Sequence, residues 1–273
     1  MEGTVITEEQ IDALLGDLLE RYGYDFTGYS RASLKRRIQR LYSLDKAVSF
    51  AEFRFKIANE PLYFKRFVEQ VTVNVTEMFR DPTFFKTLRN EVLPKLGTYP
   101  LIRIWIAGCS TGEEAYSICI LLKELGLLQK SLVYATDLNP AVLEKAAQGI
   151  FGLSQMKQYS ENYIQSGGSK EFSTYYTAMY SLAKFNDELR RKIIFSTHNL
   201  VSDRSFNEFQ LILCRNVLIY FDRDLQHKVI SLFDDSLEEL GYLALGSKET
   251  LEFSTVSKRY RRLPTDKIWR KMN

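Results

Sequence analysis

The sequence predicts an α/β protein with a parallel sheet covered by helices on both faces, preceded by an all-α domain. Three observations lead to this prediction. Up to residue 100 the chain carries helix-start signals and no strand signal of comparable strength. From Ile102 onward, short apolar strands alternate with helical segments. Between Phe151 and Ile193, aromatic and hydroxyl residues favour short antiparallel strands, which predicts a small β subdomain inserted in the α/β domain.

The N-terminal helices are predicted from residues that cap helix ends. Thr7 with Gln10, and Ser49 with Glu52, each fit a capping box ahead of apolar residues at helical spacing. Gly23 lies where a left-handed residue would end the first helix. Further helix starts are predicted at Ser30, for a helix running to about Tyr42, at Pro61 and at Asp81-Pro82.

The same patterns divide the chain into domains. We expect a helical domain over residues 1–76, a linker with a linking helix over 77–99, and an α/β domain over 100–273 with the β insertion at about 152–192. Strands are predicted at 102–107, 132–136, 193–196, 209–214 and 242–245, helices at 111–126, 140–148 and 222–240, and a closing strand pair at 259–263 and 268–271.

The composition excludes several classes of protein. The 273 residues are 45% hydrophobic, which is enough for a buried core and excludes a disordered chain. The longest apolar runs are too short to span a membrane and the first residues lack a secretory signal, so we expect a cytoplasmic protein without membrane insertion. Three well-separated cysteines and two histidines predict neither a disulfide framework nor a metal site. A net charge of +3 is too small to imply a nucleic-acid partner.

The most informative stretch is an acidic turn between the first predicted strand and the helix that follows it. Gly108 and Gly112 let the backbone approach a ligand closely, and Glu113 and Glu114 open the helix. A dinucleotide site needs another glycine spacing, and two carboxylates would repel a pyrophosphate. The turn suits a ligand with positive charge and hydroxyls, such as the amino acid and ribose of S-adenosylmethionine, with Asp137 placed for the ribose. We expect Glu114 to bind this ligand and Glu113 to be solvated.

This turn is part of a resemblance to a known family. The segment Ala107-Gly-Cys-Ser-Thr-Gly-Glu-Glu-Ala-Tyr-Ser resembles the cofactor loop of the chemotaxis receptor methyltransferases, the CheR family. Three further motifs agree in order and spacing: Thr72-Val-Asn-Val-Thr-Glu-Met-Phe-Arg-Asp, His198-Asn-Leu and Cys214-Arg-Asn-Val-Leu-Ile-Tyr-Phe. The resemblance covers nearly the whole chain. It implies a Rossmann-like class I methyltransferase sheet and an S-adenosylmethionine-dependent protein-glutamate O-methyltransferase that releases S-adenosylhomocysteine.

The resemblance also implies roles for individual residues. Arg80 and Tyr220 match the positions that the family places beside the transferring methyl group, and they are the expected catalytic residues. The residues expected around the cofactor are Asn74, Thr76, Arg80, Glu114, Asp137, Asn199, Leu200, Arg215 and Asn216. Simpler alternatives exist for three of these positions: Arg80 as a helix-start or ion-pair residue, Tyr220 as packing alone and Asn216 as a turn cap.

A basic stripe on the second helix is a candidate docking surface. Arg36, Arg37 and Arg40 share one helical face. The resemblance implies that this face docks the acidic methylation region of chemoreceptor helices, while the alternative is a solvated face. Edge strands of the β insertion could accept a peptide by strand addition, with a decorative hairpin as the alternative.

The expected reaction needs no catalytic histidine or cysteine. A glutamate side chain is ionised at neutral pH, so methyl transfer to it needs no general base. The function that the sequence favours is therefore methylation of chemoreceptor glutamates. Two alternatives stay open: a methyltransferase of the same family that acts on another protein or on a small carboxylic acid, and a non-catalytic cofactor-binding scaffold.

Overall fold

The computed structural model describes residues 5–72 and 75–272, which form two compact units. One unit contains the described residues up to 72 together with 219–228, and the other contains 75–218 together with 229–272. No helix within these described ranges is both long and apolar enough to cross a membrane.

The first unit is a set of helices whose apolar faces pack together. Its helices are α1 (Glu8–Tyr22), α2 (Arg31–Asp45), α3 (Phe50–Asn59) and α4 (Pro61–Val71). The capping box at Thr7 is confirmed, because the backbone N–H of Gln10 donates to Thr7 Oγ1 at 3.3 Å and Thr7 N–H donates to Gln10 Oε1 at 3.0 Å. Gly23 ends α1 in the left-handed conformation, with φ of 71°, as predicted.

The segment 219–228 belongs to this helical unit through backbone contacts. The N–H of Ser30 donates to the carbonyl of Tyr220 at 2.7 Å, and the N–H of Asp222 donates to Gly28 O at 2.9 Å. Ser30 precedes α2 as predicted, but its side chain makes no capping bond. Gly28 leaves room for Leu225, since a Cβ at this position would lie 2.9 Å from Leu225 Cδ2 and would displace that side chain.

The second unit is built on a mixed sheet that confirms the predicted fold class. Among the described residues its strands are β1 (Ile102–Ala107), β2 (Ser131–Asp137), β6 (Ile193–Thr197), β7 (Phe209–Cys214), β8 (Leu237–Leu245), β9 (Tyr260–Arg262) and β10 (Ile268–Lys271), in the order β6-β2-β1-β7-β8-β10-β9. The strands β6, β2, β1, β7 and β8 are parallel, and β10 and β9 extend the sheet in antiparallel orientation. Because β6, β2, β1 and β7 are parallel, the turns that follow these strands meet at one edge of the sheet.

Helices accompany this sheet and connect its strands. They are α5 (Pro82–Thr87), a π-helical turn (Leu88–Val92), α6 (Leu93–Leu96), α7 (Glu113–Glu124), α8 (Pro140–Gln148), α10 (Asp187–Arg190) and α11 (Arg223–Ser236), the last of which begins in the helical unit. The core between sheet and helices is apolar, and Trp105 and Ile106 of β1 are almost fully buried. Ser117 on α7 is also fully buried.

The predicted helix over 222–240 is too long at its C-terminal end. The helix ends at Ser236, and Leu237 already pairs with Phe209 in the sheet. Lys271 holds this transition, because its ammonium group donates to the carbonyls of Asp234 at 2.7 Å and Leu237 at 2.9 Å. The leucines beyond 236 suit either a helix face or a strand, so local periodicity does not locate the change.

The predicted β subdomain is confirmed as a small antiparallel sheet. Its strands are β3 (Ile150–Gly152), β4 (Tyr176–Met179) and β5 (Leu182–Phe185), in the order β3-β5-β4, and α9 (Met156–Gln165) lies between β3 and β4 in the chain. Buried tyrosines attach the subdomain to α7, because Tyr163 and Tyr175 both donate hydrogen bonds to Glu124. Arg89 forms an ion pair with the same carboxylate at 2.6 Å.

Candidate functional site

The turn after β1 has a tight backbone conformation that would let a ligand approach closely. Gly108, Ser110 and Gly112 have positive φ values of 76°, 51° and 93°. A Cβ at Gly108 would lie 2.5 Å from Val217 Cγ2, so only glycine fits at this position. The N–H of Gly108 donates to the carbonyl of Thr136 at 2.8 Å, which holds the turn against the end of β2.

Among the residues of this turn, Ser110 is the strongest indication of a ligand site. Its backbone N–H donates to Asp137 Oδ2 at 2.9 Å. Its hydroxyl oxygen is buried and has no hydrogen-bond partner among the described residues. A buried hydroxyl ordinarily has a partner, so this group is suited to a polar atom of a bound molecule.

The two glutamates that open α7 occupy different environments, and the expectation for Glu113 is wrong. Glu113 is only 4% exposed and not solvated. It accepts a hydrogen bond from the Thr111 hydroxyl at 2.6 Å, and the Tyr159 hydroxyl lies 3.4 Å away. Burial raises the pKa of the Glu113 carboxyl above its ordinary value. Successive helix residues point about 100° apart, so one member of the pair turns to the core while the other turns to the sheet edge.

Glu114 is held by a buried arginine from the end of β7. The guanidinium of Arg215 has a side-chain exposure of 3% and lies 2.5 Å from Glu114 Oε2 and 2.7 Å from Asp81 Oδ2. It also donates to the carbonyl of Arg80 at 3.0 Å and stacks on Phe84, with 4.0 Å from its central carbon to the ring centroid. Arg215 therefore lies beside Glu114 and also holds Asp81 and the backbone of Arg80 in place.

Asp137 lies at the end of β2, next to the turn. Its two carboxylate oxygens accept the backbone N–H groups of Ser110 and Asn139, each at 2.9 Å. Burial nevertheless raises the pKa of the Asp137 carboxyl above its ordinary value. Each carboxylate oxygen has more than one acceptor position, so Asp137 can still accept from ligand hydroxyls.

The turn after β6 brings the predicted residues Asn199 and Leu200 to the same edge. Both side chains are about nine-tenths buried. Asn199 Oδ1 accepts the N–H of Val201 at 3.0 Å, and the Asn199 N–H donates to Asp203 Oδ2 at 2.8 Å. The N–H of His198 donates to the carbonyl of Asp137 at 3.2 Å, which joins this turn to the end of β2.

Asn216 follows β7 in a left-handed conformation, with φ of 61°. Its backbone N–H donates to Glu249 Oε2 at 3.0 Å, and the N–H of Val217 donates to Glu249 Oε1 at 2.9 Å. Gly246 N–H, after β8, donates to Glu249 Oε2 at 2.6 Å. Sequence reasoning missed this buried glutamate, although an acidic residue shortly after a strand at the same sheet edge was a usable signal.

The segment that carries Arg80 enters the sheet unit just before α5. Arg80 is half-buried, and its guanidinium lies 3.4 Å from the carbonyl of Val75. Asp81 precedes Pro82 as predicted, but its backbone is left-handed with φ of 58° and its side chain makes no capping bond. The carboxylate pairs with Arg215 instead. Thr76 is half-buried, and Asn74 lies outside the described residues.

Tyr220 and the basic stripe lie in the helical unit. The guanidinium of Arg37 lies over the Tyr220 ring, 5.8 Å from its centroid, and donates to the carbonyl of Thr72 at 3.2 Å. Partial burial lowers the pKa of Arg37. Arg36 and Arg40 are exposed on α2. The three stripe arginines therefore differ, since Arg37 packs inside its unit and the other two face solvent.

The residues at the sheet edge fit a ligand with positive charge and hydroxyl groups. Glu114 and Asp137 supply acceptors there, and the Ser110 hydroxyl supplies a buried group with unused hydrogen-bonding capacity. Over residues 5–72 and 75–272, no group of three or more histidine, cysteine, aspartate or glutamate side chains is arranged to hold a metal ion. A nucleoside ligand at the carboxyl ends of parallel strands is the usual arrangement for a sheet of this topology.

A sheet of this topology with an acidic edge is typical of α/β proteins that bind nucleosides, and comparison with known families identifies the class of this protein. Residues 74–267 match the model described as the CheR methyltransferase, SAM binding domain, and residues 9–72 match the CheR methyltransferase, all-alpha domain. The chain belongs to the CheR methyltransferase family, as the sequence motifs predicted.

Individual relatives are similar to this chain over most of their lengths. The chain is 45% identical over 266 residues to a Pseudomonas putida protein provisionally named methyltransferase Cher3, covering 97% of each chain. It is 33% identical over 231 residues to a chemotaxis protein methyltransferase of Listeria innocua, covering 84% of this chain and 85% of the relative. It is also 33% identical over 236 residues to chemotaxis protein methyltransferase 2 of Pseudomonas aeruginosa, covering 83% and 82%.

Proposed function

We propose that the protein transfers a methyl group from S-adenosylmethionine to glutamate side chains of chemoreceptor proteins, forming glutamate methyl esters and S-adenosylhomocysteine. The observation that carries the proposal is the acidic sheet edge, where the Ser110 hydroxyl is buried beside Asp137 without a partner among the described residues. Membership in the CheR family and the names of the chemotaxis relatives support the substrate class.

The proposed binding roles follow from the chemistry of each side chain. Asp137 accepts ribose hydroxyls, and Glu114, held by Arg215, faces the positively charged amino acid portion. Asn199, Leu200 and Asn216 complete the site from the turns after β6 and β7. Arg215 acts mainly by fixing Glu114 and the Arg80 backbone, since its bonds already go to these groups.

The proposed chemistry needs orientation more than proton transfer. The bound cofactor supplies an electrophilic methyl carbon: a bond to the glutamate oxygen forms as the carbon–sulfur bond breaks and its electron pair passes to sulfur. The acceptor carboxylate is already ionised at neutral pH, so no base is required. Arg80 would hold a carboxylate in line for attack, and orientation of this kind lowers barriers by about 7–11 kcal/mol in favourable cases. Tyr220 is the second proposed catalytic residue, on the strength of its match to the family motif.

The proposed protein partner carries acidic helices. Arg36 and Arg40 offer exposed positive charge on α2 for such a partner. The β subdomain offers a second docking element, because β4 is an outer strand with mostly exposed side chains and could pair with an extended peptide.

The proposal is tested by methyl transfer with a defined substrate. Purified protein is mixed with chemoreceptor-containing membranes and methyl-labelled S-adenosylmethionine, and base-labile label on the receptor is counted. We expect labelled receptor, and a fall in kcat of about 100-fold for Arg80→Ala. Arg190→Ala is the matched control, because Arg190 is also a half-exposed arginine but lies on α10.

The same assay separates the alternatives. Binding of S-adenosylhomocysteine in calorimetry without transfer to any receptor preparation would support a scaffold. Labelling of free small acids without receptor would support a small-acid enzyme. Full activity of Arg80→Ala would remove Arg80 from the mechanism.

A further inference from the structure

The segment before α5 contains two left-handed residues that are not glycine. Phe79 has φ of 53° and Asp81 has φ of 58°, and they flank Arg80 on either side. A bulky residue such as phenylalanine rarely adopts this conformation. Strained backbone persists only where the surrounding structure holds it, and it concentrates at functional sites. Contacts from other parts of the chain must therefore hold this segment.

Side chains from three parts of the chain hold the peptide group between Met78 and Phe79 and the carbonyl of Arg80. The N–H of Phe79 donates to Ser117 Oγ on α7 at 3.0 Å. Asn162 Nδ2 on α9 donates to the carbonyl of Met78 at 3.0 Å, and Arg215 donates to the carbonyl of Arg80 at 3.0 Å. The ring of Phe79 is fully buried, so the side chain is anchored as well.

Ser117 joins this segment to α7. Its hydroxyl is fully buried, accepts from Phe79 N–H and donates to the carbonyl of Glu113 at 2.7 Å, in the first turn of α7. The helix does not depend on that hydroxyl, because the backbone N–H of a helical residue already bonds the carbonyl four residues earlier. Removing the hydroxyl would leave α7 intact but would leave the N–H of Phe79 without its buried acceptor.

We propose that Ser117 is a positioning residue, which holds Phe79 in its left-handed conformation and thereby sets the direction of the Arg80 side chain for methyl transfer. This inference rests on the proposed function through the role of Arg80. Asn162 acts on the same segment from α9 and serves the same purpose. The strain at Phe79 makes the segment sensitive to the loss of either contact.

Ser236 provides a matched control within the same chain. It is also a fully buried serine whose hydroxyl donates to the carbonyl four residues earlier, Leu232 O, at 2.7 Å. It lies at the end of α11. Ser236→Ala therefore removes an equivalent buried hydroxyl without touching the Phe79 segment.

The first test does not depend on methyl transfer. Trypsin cleaves after Arg80 only when this segment opens, so the rate of cleavage there reports how firmly it is held. We expect Ser117→Ala and Asn162→Ala to be cleaved after Arg80 at least about 5-fold faster than Ser236→Ala, as measured by the mass of the fragments. Equal rates in Ser117→Ala and Ser236→Ala would overturn the proposal.

The second test separates positioning from general loss of structure. We expect Ser117→Ala to lower kcat for receptor methylation by about 10- to 100-fold, while its calorimetric affinity for S-adenosylhomocysteine changes less than about 2-fold. Ser236→Ala should keep kcat within about 2-fold of wild type. Combined with Arg80→Ala, the serine change should add little, because both act through one side chain.

Each failure has a separate meaning. A wild-type protein that does not methylate receptors contradicts the proposed function, whereas the cleavage test still decides whether Ser117 holds the segment. If the wild type is active, an unchanged kcat in Ser117→Ala overturns the positioning role alone. The same holds if the fold-losses in kcat of Ser117→Ala and Arg80→Ala multiply fully in the double variant.

Discussion

Burial of Glu113 is one feature at the residue scale that differs from the sequence expectation. A neighbouring pair of glutamates at a helix start has no local sign of which member faces inward. The answer comes from Thr111 and from Tyr159 on α9, 46 residues away in the chain. Similarly, Asp81 looks like a helix cap in the sequence but is drawn to Arg215, 134 residues away. The strand-end position of Asp137, in contrast, was predictable from the strand pattern alone.

The raised pKa of Glu113 predicts a pH-dependent stability. Because burial raises the pKa of this carboxyl in the folded state, the folded protein binds the proton more tightly than the unfolded chain. The resulting stabilisation is fully present below the ordinary value of 4.5 and is lost as pH rises through the folded-state pKa. Glu113→Gln removes this dependence, so its Tm should rise relative to wild type as pH increases above about 4.5.

Thermal unfolding between pH 4 and pH 8 measures this difference. Glu239→Gln serves as the control, because Glu239 is exposed. We expect the Tm of Glu239→Gln to follow wild type in parallel. A difference between Glu113→Gln and wild type that stays constant with pH would contradict the prediction.

The turn between β1 and α7 shows what could be predicted at the scale of elements. Glycines after an apolar strand indicated a tight turn, and the structure confirms positive φ at both Gly108 and Gly112. The close contact with Val217 could not be predicted, because it joins two strand ends that only the sheet order brings together. The end of α11 is a similar case, since the pairing of Leu237 with Phe209 replaces the helix there.

Gly108→Ala tests the requirement for this turn. A left-handed alanine costs about 1–2 kcal/mol, and the new Cβ would in addition overlap Val217 Cγ2 at 2.5 Å. We expect a lower Tm and an affinity for S-adenosylhomocysteine that is weaker by at least about 10-fold, which corresponds to 1.4 kcal/mol or more. Adding Val217→Ala should restore part of this loss, since it removes the overlap but leaves the φ cost.

Gly126→Ala is the matched control for the backbone cost alone. Gly126 has φ of 71°, and a Cβ there would meet nothing within 4 Å. Its variant should lose stability by the φ cost and should bind S-adenosylhomocysteine normally in calorimetry. Equal binding by the two alanine variants would mean that the contact with Val217 is unimportant.

At the scale of the whole molecule, the order of elements was largely predictable and their pairing was not. Helix caps predicted the all-α part, strand-helix alternation predicted the sheet, and aromatic and hydroxyl residues predicted the β subdomain. All three are confirmed. Sheet order, the antiparallel addition of β10 to β8 and the Arg215 contacts depend on long-range packing, which a local pattern does not encode. The placement of segment 219–228 in the helical unit is of the same kind.

The exposed basic residues of α2 predict how a protein substrate is recognised. Arg36→Glu with Arg40→Glu reverses two exposed charges on this helix. We expect the apparent KM for receptor to rise about 10-fold or more and the KM for S-adenosylmethionine to change less than about 2-fold, with the difference shrinking at high salt. Steady-state methylation kinetics at two ionic strengths measure both constants.

The control for this prediction is a pair with the same change in net charge. Arg191→Glu with Arg261→Glu reverses two exposed arginines of the sheet unit. If both pairs raise the receptor KM equally, the effect comes from overall charge and α2 is not a specific docking surface.

The three hydrogen bonds to Glu249 have a consequence for the protein during its synthesis. They join the turn at Asn216 and the end of β8 to a side chain that follows both in the sequence, so these contacts form only after residue 249 has left the ribosome. A nascent chain that stops short of this glutamate would carry β1 and its acidic turn without these three hydrogen bonds. We expect a translation product that ends before this glutamate to gain less stability from the proposed cofactor than the longer chain, and to be left to chaperones and proteases.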